Sequence, residues 1–189
     1  MQTLVLAVLV AAPLNVKVEE SPKKLPAGLK ATGALVALAT FDDKDGSHVA
    51  YVEQAATKKG DLELRGFGYT KGSGWTKQWQ ASDFVRDCEF DKVLEYRAKS
   101  LAVTDLDDDG VAEVTFAYEL TCTSDVSPRT LKVLMYEGAT KYAMRGETVV
   151  DTGAGEKVGG THALDTTNKD APPVFVKHLE GRWAELTRP

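Results

Sequence analysis

The chain has 189 residues, of which 43% are hydrophobic and 27% are charged, so it can bury an ordinary globular core as one domain. Its formal net charge is −5 and no run of Lys or Arg stands out, which argues against a protein that binds nucleic acid through the phosphate backbone. With two cysteines, three histidines and no CxxC or HxxxH spacing, a structural zinc site is not expected either.

Residues 1–12 (MQTLVLAVLVAA) contain a wholly apolar run that is too short to span a bilayer as a helix. The run resembles the apolar part of a secretory signal, although no Lys or Arg precedes it, and we expect it to direct export. The alternative is a buried first strand. No later segment approaches membrane-spanning length, so we expect no stable membrane insertion of the mature chain.

Residues 13–30 (PLNVKVEESPKKLPAGLK) are polar and interrupted by prolines, which predicts a linker or a lightly anchored arm. A single β-rich domain is predicted for residues 31–189. It begins with a strand GALVALATF, a turn DDKDG and a strand SHVAYVEQ, and continues with DLELRGFGYT and GWTKQWQASDF, joined by KGSG. Trp75 and Trp79 are predicted to share one strand face; stacked aromatic rings can bind sugars, but core packing is their commoner use.

The clearest alternation of apolar and polar residues follows residue 112 and predicts a half-buried strand. TLKVLMYEGATKYAMRGE then predicts a hairpin with its turn at EGATK. Between these elements, SDVSPRTLK favours a turn that connects two strands, with a polar binding lip as the alternative. The apolar face of the strand consists of Val114, Phe116, Tyr118, Leu120 and Cys122. The polar residues of the turn are Asp125, Ser127, Arg129 and Lys132.

The Gly- and Thr-rich residues 151–171 predict a long loop. Residues 173–186 predict a helix whose stripe of Phe175, Leu179, Trp183 and Leu186 docks on the sheet, with Pro173 in the first turn. The predicted fold class is mainly β, built of antiparallel hairpins in a sandwich-like or partial-propeller sheet with a C-terminal helix, and α+β is the alternative.

The segment TDLDDDGVAEVTFAY, residues 104–118, carries four aspartates within five positions. Two unit charges about 4 Å apart repel by roughly 4 kcal/mol at an effective dielectric constant near 20, so either the loop opens into solvent or a cation belongs there. Calcium takes six to eight oxygen ligands and suits a flexible carboxylate cluster. We predict a calcium site whose ligands are Asp105, Asp107, Asp109, the carbonyl of Val111 and Glu113, with Asp108 in solvent and Gly110 providing the bend.

This loop is not an EF-hand, because Phe116 stands where that loop needs a bidentate Glu. The alternative without a metal is an acidic turn held by hydrogen bonds between side chains and backbone. A similar segment, ATFDDKDGSHVAYV, aligns upstream when Gly46 is set on Gly110. It keeps Asp43 and Asp45 but lacks the other acids, so we predict a structural turn there.

The pattern D-x-D-x-D-G-x-x-E between two strands is similar to the calcium loops of FG-GAP-type, integrin-propeller repeats. Residues 83–91, 104–128 and 131–147 together resemble a bacterial family of exported proteins described as surface polysaccharide biosynthesis proteins. The resemblance implies a periplasmic or secreted β-rich domain with the calcium-type loop, and it implies no catalytic residue.

The two cysteines, Cys88 and Cys122, fit one disulfide in an exported chain, and two buried free thiols are the alternative. The family resemblance implies that both cysteines belong to the fold. A bond between them would enclose the acidic loop and contribute roughly 3 to 4 kcal/mol on the chain-entropy model.

Three functional hypotheses remain. The first is a non-catalytic, calcium-stabilised envelope or secreted module that binds a glycan or an envelope protein. The second is an enzyme of surface-polysaccharide metabolism that uses the acidic loop as a metal site; the sequence contains no G-x-S-x-G, P-loop or dinucleotide motif. The third is a structural domain without a metal. A cleft holding acids outside the loop would favour the second hypothesis, and an exposed aromatic patch near Trp75 and Trp79 would favour the first.

Overall fold

A computed structural model describes residues 14–153 and 155–187. The predicted signal segment, residues 1–12, lies outside the described residues. Among the residues that are described, no helix combines the length and the apolarity that crossing a membrane requires.

The first sheet is antiparallel and follows the order of the chain. Both hairpins predicted in this part of the sequence are confirmed, and the turn of the first consists of Lys44 and Asp45 alone. Residues 17–20 of the predicted arm also belong to this sheet, because they form its first strand and pair with the second strand. The strands are β1 (Lys17–Glu20), β2 (Ala34–Asp43), β3 (Gly46–Ala56), β4 (Leu62–Lys71) and β5 (Trp75–Val85).

The second sheet contains the acidic segment and the hairpin predicted after it, which is confirmed. The strands in this part of the chain are β6 (Asp91–Tyr96), β7 (Ala102–Thr104), β8 (Glu113–Thr123), β9 (Thr130–Glu137), β10 (Thr140–Glu147), β11 (Val149–Asp151), β12 (Lys157–Gly159) and β13 (His162–Leu164). The strand order of the second sheet is β13-β10-β9-β8-β6, and β7 pairs with β8 beside β6. A separate small hairpin joins β11 to β12.

The prediction that residues 151–171 form one long loop is wrong. This segment contains β12, β13 and a short 3-10 helix, Thr166–Asn168. Strands of three residues are too short to show an alternation, and pairing partners hold them in place instead. β13 pairs with β10, and the Asn168 side chain accepts a hydrogen bond from the N–H of Ala143 and donates one to the carbonyl of Lys141.

The two sheets pack face to face around the main hydrophobic core, which confirms the mainly β prediction. The glycines of β4 make this packing possible. A Cβ on Gly66 would lie 2.6 Å from Cζ of Phe116, and one on Gly68 would lie 2.1 Å from Nε1 of Trp79. These two large rings therefore occupy the space that side chains on β4 would otherwise fill.

The prediction that β8 is half-buried is wrong, because every residue from 113 to 119 is buried. One face of the strand contributes Phe116 to the core between the sheets. The other face contributes Ala117 to a second core, formed with the helix α1 (Pro173–Leu186). The predicted helix is confirmed, and Phe175, Leu179 and Trp183 of its stripe are buried.

The predicted aromatic face of β5 does not exist, because an irregularity in the pairing with β4 interrupts the alternation. Gly68 pairs with Trp79 and Tyr69 pairs with Lys77, so Gln78 is an extra residue. Trp79 consequently points into the core, where it stacks on Tyr136 with ring centroids 4.1 Å apart. Trp75 packs on the outer face of the first sheet with Tyr51, and its Nε1 donates to the carbonyl of Ala27 at 2.9 Å.

Cys88 and Cys122 form a disulfide, so the alternative of two free thiols is wrong. Cys88 follows β5 of the first sheet, and Cys122 lies near the end of β8 in the second. The bond therefore ties the segment that connects β5 of the first sheet with β6 of the second to β8.

Candidate metal site and adjoining cavity

The acidic loop connects β7 to β8 and is fastened to the β2–β3 turn of the other sheet. The N–H of Lys44 donates to the carbonyl of Gly110 at 2.9 Å, and the N–H of Ala112 donates to Oδ2 of Asp43 at 3.1 Å. The upstream segment that resembles the loop thus lies directly against it, and its Asp43 supports the loop backbone.

His48 fixes the carboxylate of Asp43 in this position. Its Nε2 lies 2.7 Å from Oδ1 of Asp43, its Nδ1 lies 3.0 Å from Oγ1 of Thr70, and its ring stacks on Phe41. Because the Asp43 side chain is only 2% exposed, this network holds it as a rigid support for the loop.

The three alternating aspartates of the loop come together as the sequence predicts. One carboxylate oxygen each from Asp105, Asp107 and Asp109 lies within 4.8 Å of the others, so this group could hold a metal ion. Each carboxylate also accepts a backbone hydrogen bond: from Gly110 to Asp105 at 3.1 Å, from Asp109 to Asp107 at 3.4 Å, and from Val111 to Asp109 at 2.7 Å. The carboxylate cluster and the turn held by side chains therefore coexist.

Asp108 and Gly110 provide the tight bend, with φ angles of 58° and 83° in the left-handed region. Asp108 is exposed, as predicted, and is not a member of the carboxylate group. The N–H of Val111 donates a hydrogen bond to Oδ1 of Asp109. The role of the Val111 carbonyl as a metal ligand stays a prediction.

The positive charge nearest the loop is Lys44 from the other sheet. Its Nζ lies 3.2 Å from Oδ2 of Asp109 and 2.8 Å from the Asp109 carbonyl. The N–H of Val111 and then the Lys44 ammonium hold the pKa of Asp109 below its ordinary value. Oδ1 of Asp105, by contrast, is buried without a hydrogen-bond partner.

Glu113 is fully buried, although sequence reasoning placed it on a polar strand face. Its Oε2 accepts hydrogen bonds from Oγ1 of Thr104 at 2.9 Å and from the N–H of Leu106 at 3.0 Å. Its Oε1 has no hydrogen-bond partner. Burial, reinforced by the charges of Asp107 and Asp105, raises the pKa of Glu113 to about 7.

Glu137 is a member of the site that sequence reasoning missed. Asp107, Glu113 and Glu137 form a second group in which the carboxylate oxygens lie within 4.8 Å of one another. Glu137 ends β9 directly opposite Glu113. Burial, followed by the charges of Asp107 and Asp109, raises the pKa of Glu137. The predicted ligands are thus divided between two groups that share Asp107.

A polar cavity with a volume of about 440 Å³ lies at the opposite end of β8. The buried Glu119 forms part of its lining and pairs with two arginines: Nη1 of Arg97 lies 3.2 Å away and Nη1 of Arg129 lies 2.6 Å away. Nη2 of Arg97 also donates to the carbonyl of Leu186 at the end of α1. The cavity therefore lies on the face of the second sheet that α1 packs against, just beyond the end of that helix.

Three of the four residues of the predicted polar lip, Asp125, Ser127 and Arg129, line this cavity. The fourth, Lys132, pairs with Asp83 instead. Hydrogen bonds from Ser127 and then Thr123 lower the pKa of Asp125. A lining of hydroxyls, carboxylates and guanidinium groups offers a small ligand both donors and acceptors.

Carboxylate oxygens in the absence of nitrogen or sulfur ligands suit a hard divalent cation such as calcium or magnesium. Because all of these acids belong to the β7–β8 loop, β8 or β9, the metal would fasten the loop to the second sheet, next to the β2–β3 turn. Comparison of the chain with known proteins found no match to a family model, to a curated protein or to a solved structure.

Proposed function

We propose that the protein is a non-catalytic module of the cell envelope, periplasmic or secreted, which is stabilised by calcium and binds a glycan or an envelope protein. The observation that carries the calcium proposal is a pair of buried carboxylate oxygens without a hydrogen-bond partner, Oδ1 of Asp105 and Oε1 of Glu113, one in each of the two carboxylate groups that share Asp107. Leaving a buried polar atom unpaired costs about 1 to 3 kcal/mol, and a bound cation would remove that cost.

Calcium is favoured over magnesium because the loop supplies several carboxylates on a bent backbone. Calcium accepts irregular shells of oxygen ligands, whereas magnesium needs near-ideal octahedral geometry and keeps several waters. The export proposal is supported by the Cys88–Cys122 disulfide, since such bonds persist in oxidising compartments.

The cavity beside Glu119 supports the proposal of a bound partner. Five of its lining residues carry hydroxyls: Thr121, Thr123, Ser127, Thr148 and Thr187. Within residues 14–153 and 155–187, the side chain of Arg129 makes its hydrogen bond through Nη1 alone. Its Nε and Nη2 therefore remain as donors for a polar ligand. A sugar unit, with a hydroxyl on most carbons, matches such a mixture of donors and acceptors better than an apolar ligand does.

An enzyme of polysaccharide metabolism is the second candidate, because Asp91, Glu119 and Asp125 bring three acids to this cavity. General acid catalysis needs a carboxyl group whose pKa is raised. The pKa of Asp125 is lowered, and Glu119 is paired with two arginines, so these two carboxylates favour binding over proton donation. Turnover of a surface glycan that is lost in Asp91→Asn would reverse this preference.

Thermal melting in calcium and in chelator tests the calcium proposal against the metal-free alternative. Saturating calcium should raise the Tm of the wild type by about 5 °C or more, because a ligand that binds only the folded state shifts the equilibrium by mass action. Asp107→Ala should lose this shift, since Asp107 belongs to both carboxylate groups.

Asp108→Asn is the matched control, because Asp108 is exposed and lies outside both groups. It should keep the calcium shift. An identical Tm of the wild type in calcium and in chelator would establish the metal-free alternative.

A further inference from the structure

The end of β9 brings the carboxylate of Glu137 within 4.8 Å of those of Asp107 and Glu113. We infer that Asp107, Glu113 and Glu137 hold the divalent cation and that Glu137 is one of its ligands. This inference rests on the proposed function and specifies its site.

The first observation is the state of Glu113. Its side chain is fully buried, and Oε1 has no hydrogen-bond partner, while Oε2 is bonded to Thr104 and Leu106. A carboxylate with one satisfied and one unsatisfied oxygen is costly to bury, because its charge loses solvation without a counter-charge. A cation beside Oε1 removes that deficit.

The second observation is the position of Glu137. It lies directly across the β8–β9 ladder from Glu113, and like charges at directly opposed positions destabilise a sheet. Asp107 brings a third carboxylate within 4.8 Å of both. In the described part of the chain, neither glutamate has a salt bridge to a Lys, Arg or His.

The loop group has less need of an ion. Each of its carboxylates accepts a backbone N–H group and Asp109 is paired with Lys44, so that only Oδ1 of Asp105 is buried without a partner. Glu113 and Glu137, in contrast, form no salt bridge with the residues that the structure describes, although the charge of Lys44 partly offsets the raised pKa of Glu137. The shared Asp107 lets the loop close over an ion that the two glutamates hold from the sheet side.

Calcium calorimetry on four purified chains tests this placement. Against the wild type, Glu137→Gln should weaken calcium binding at least tenfold, because it replaces a charged ligand by a neutral group of the same size. Asp109→Asn should weaken it less than threefold, and Asp108→Asn should leave it unchanged. A far-ultraviolet circular dichroism spectrum for each chain verifies that it is folded.

Two different results would overturn the placement, and they are distinguishable. If Asp109→Asn abolishes calcium binding and Glu137→Gln does not weaken it, the ion belongs to the loop and the proposed function stands. If the wild type binds no calcium and Glu137→Gln raises its Tm, the glutamates share a proton and the calcium proposal fails as well.

Terbium luminescence supplies an independent readout of position. Tyr142 pairs with Met135 across the β9–β10 ladder, so its side chain lies on the same sheet face as Glu137, two residues further along β9. Burial, followed by the charges of Glu137, Asp107 and Glu113, raises the pKa of its phenol. Tb³⁺ in the site should therefore show emission sensitised by this ring. Tyr142→Phe should reduce the emission and keep the calcium affinity, whereas unchanged emission would contradict an ion beside Glu137.

Discussion

Glu113 illustrates how one side chain can determine the response of a small domain to pH. Its pKa is raised from 4.5 to about 7, mainly because burial disfavours the ionised form. In the absence of a cation, the folded protein keeps this proton over a range in which the unfolded chain has released it. The stability that Glu113 contributes is complete below pH 4.5 and is lost as the pH rises through 7.

We therefore expect the chelated protein to lose on the order of 3 kcal/mol of unfolding free energy between pH 4.5 and 7 through this group. Urea midpoints measured at pH 5 and pH 8 check the effect, and Glu113→Gln should flatten the difference. Asp108→Asn should retain the dependence. A chelated wild type with equal midpoints would mean that Glu113 is ionised throughout.

At the scale of elements, the fit between β4 and β8 depends on missing side chains. Gly66 and Gly68 leave room for Phe116 and Trp79, which fill the space between the sheets. Interiors of this kind are packed to the density of organic crystals, so an added methyl group has to displace a neighbour.

Gly66→Ala should destabilise the protein by about 1 to 3 kcal/mol, because its Cβ would lie 2.6 Å from a ring atom of Phe116. Gly74→Ala is the control, since no atom lies within 4 Å of the Cβ it would add. Denaturant melts compare the two. If Gly66→Ala costs no more than Gly74→Ala, Phe116 can move aside freely and the fit is loose.

Sequence patterns predicted the elements where local periodicity is strong and failed where pairing decides. The alternation in β8 identified the strand, but the burial of its second face depends on α1, which lies far along the chain. The spacing of Phe175, Leu179 and Trp183 identified that helix because a stripe every three to four residues is intrinsic to it. The extra residue Gln78 left no signal in composition.

The candidate site divides in the same way. Asp105, Asp107 and Asp109 are neighbours in sequence, so their proximity follows from a turn. Glu137 could not be found, because its position depends on the register between β8 and β9. Lys44 comes from the other sheet, and the alignment of its hairpin with the loop hinted at a structural role but not at contact.

For the whole molecule, the two sheets are joined at both ends of β8. At one end the β2–β3 turn binds the acidic loop, and at the other the Cys88–Cys122 disulfide holds the segment that leads from β5 to β6. Glu113 and Cys122 are separated by roughly 30 Å along an extended strand. The two fastenings therefore act on the same strand without sharing a contact.

Removing the disulfide and the cation, which act at opposite ends of β8, should destabilise the fold additively. The double substitution Cys88→Ser, Cys122→Ser should cost roughly 3 to 4 kcal/mol on the chain-entropy model. Chelation should subtract the same energy from this variant as from the wild type within about 0.5 kcal/mol, as distant sites do. Urea titrations of both chains, with calcium and with chelator, complete the cycle. If chelation costs the two chains free energies of unfolding that differ by more than this, the disulfide and the cation site are energetically coupled through β8.

The extra residue in β5 has a practical consequence for spectroscopy. It places the indole of Trp79 between the sheets and that of Trp75 on the outer surface, while Trp183 lies beneath the helix. The chain has three tryptophans, so each layer contains one natural fluorophore. Variants that keep a single indole would report separately, by the colour of their emission, when each layer of the molecule opens to water.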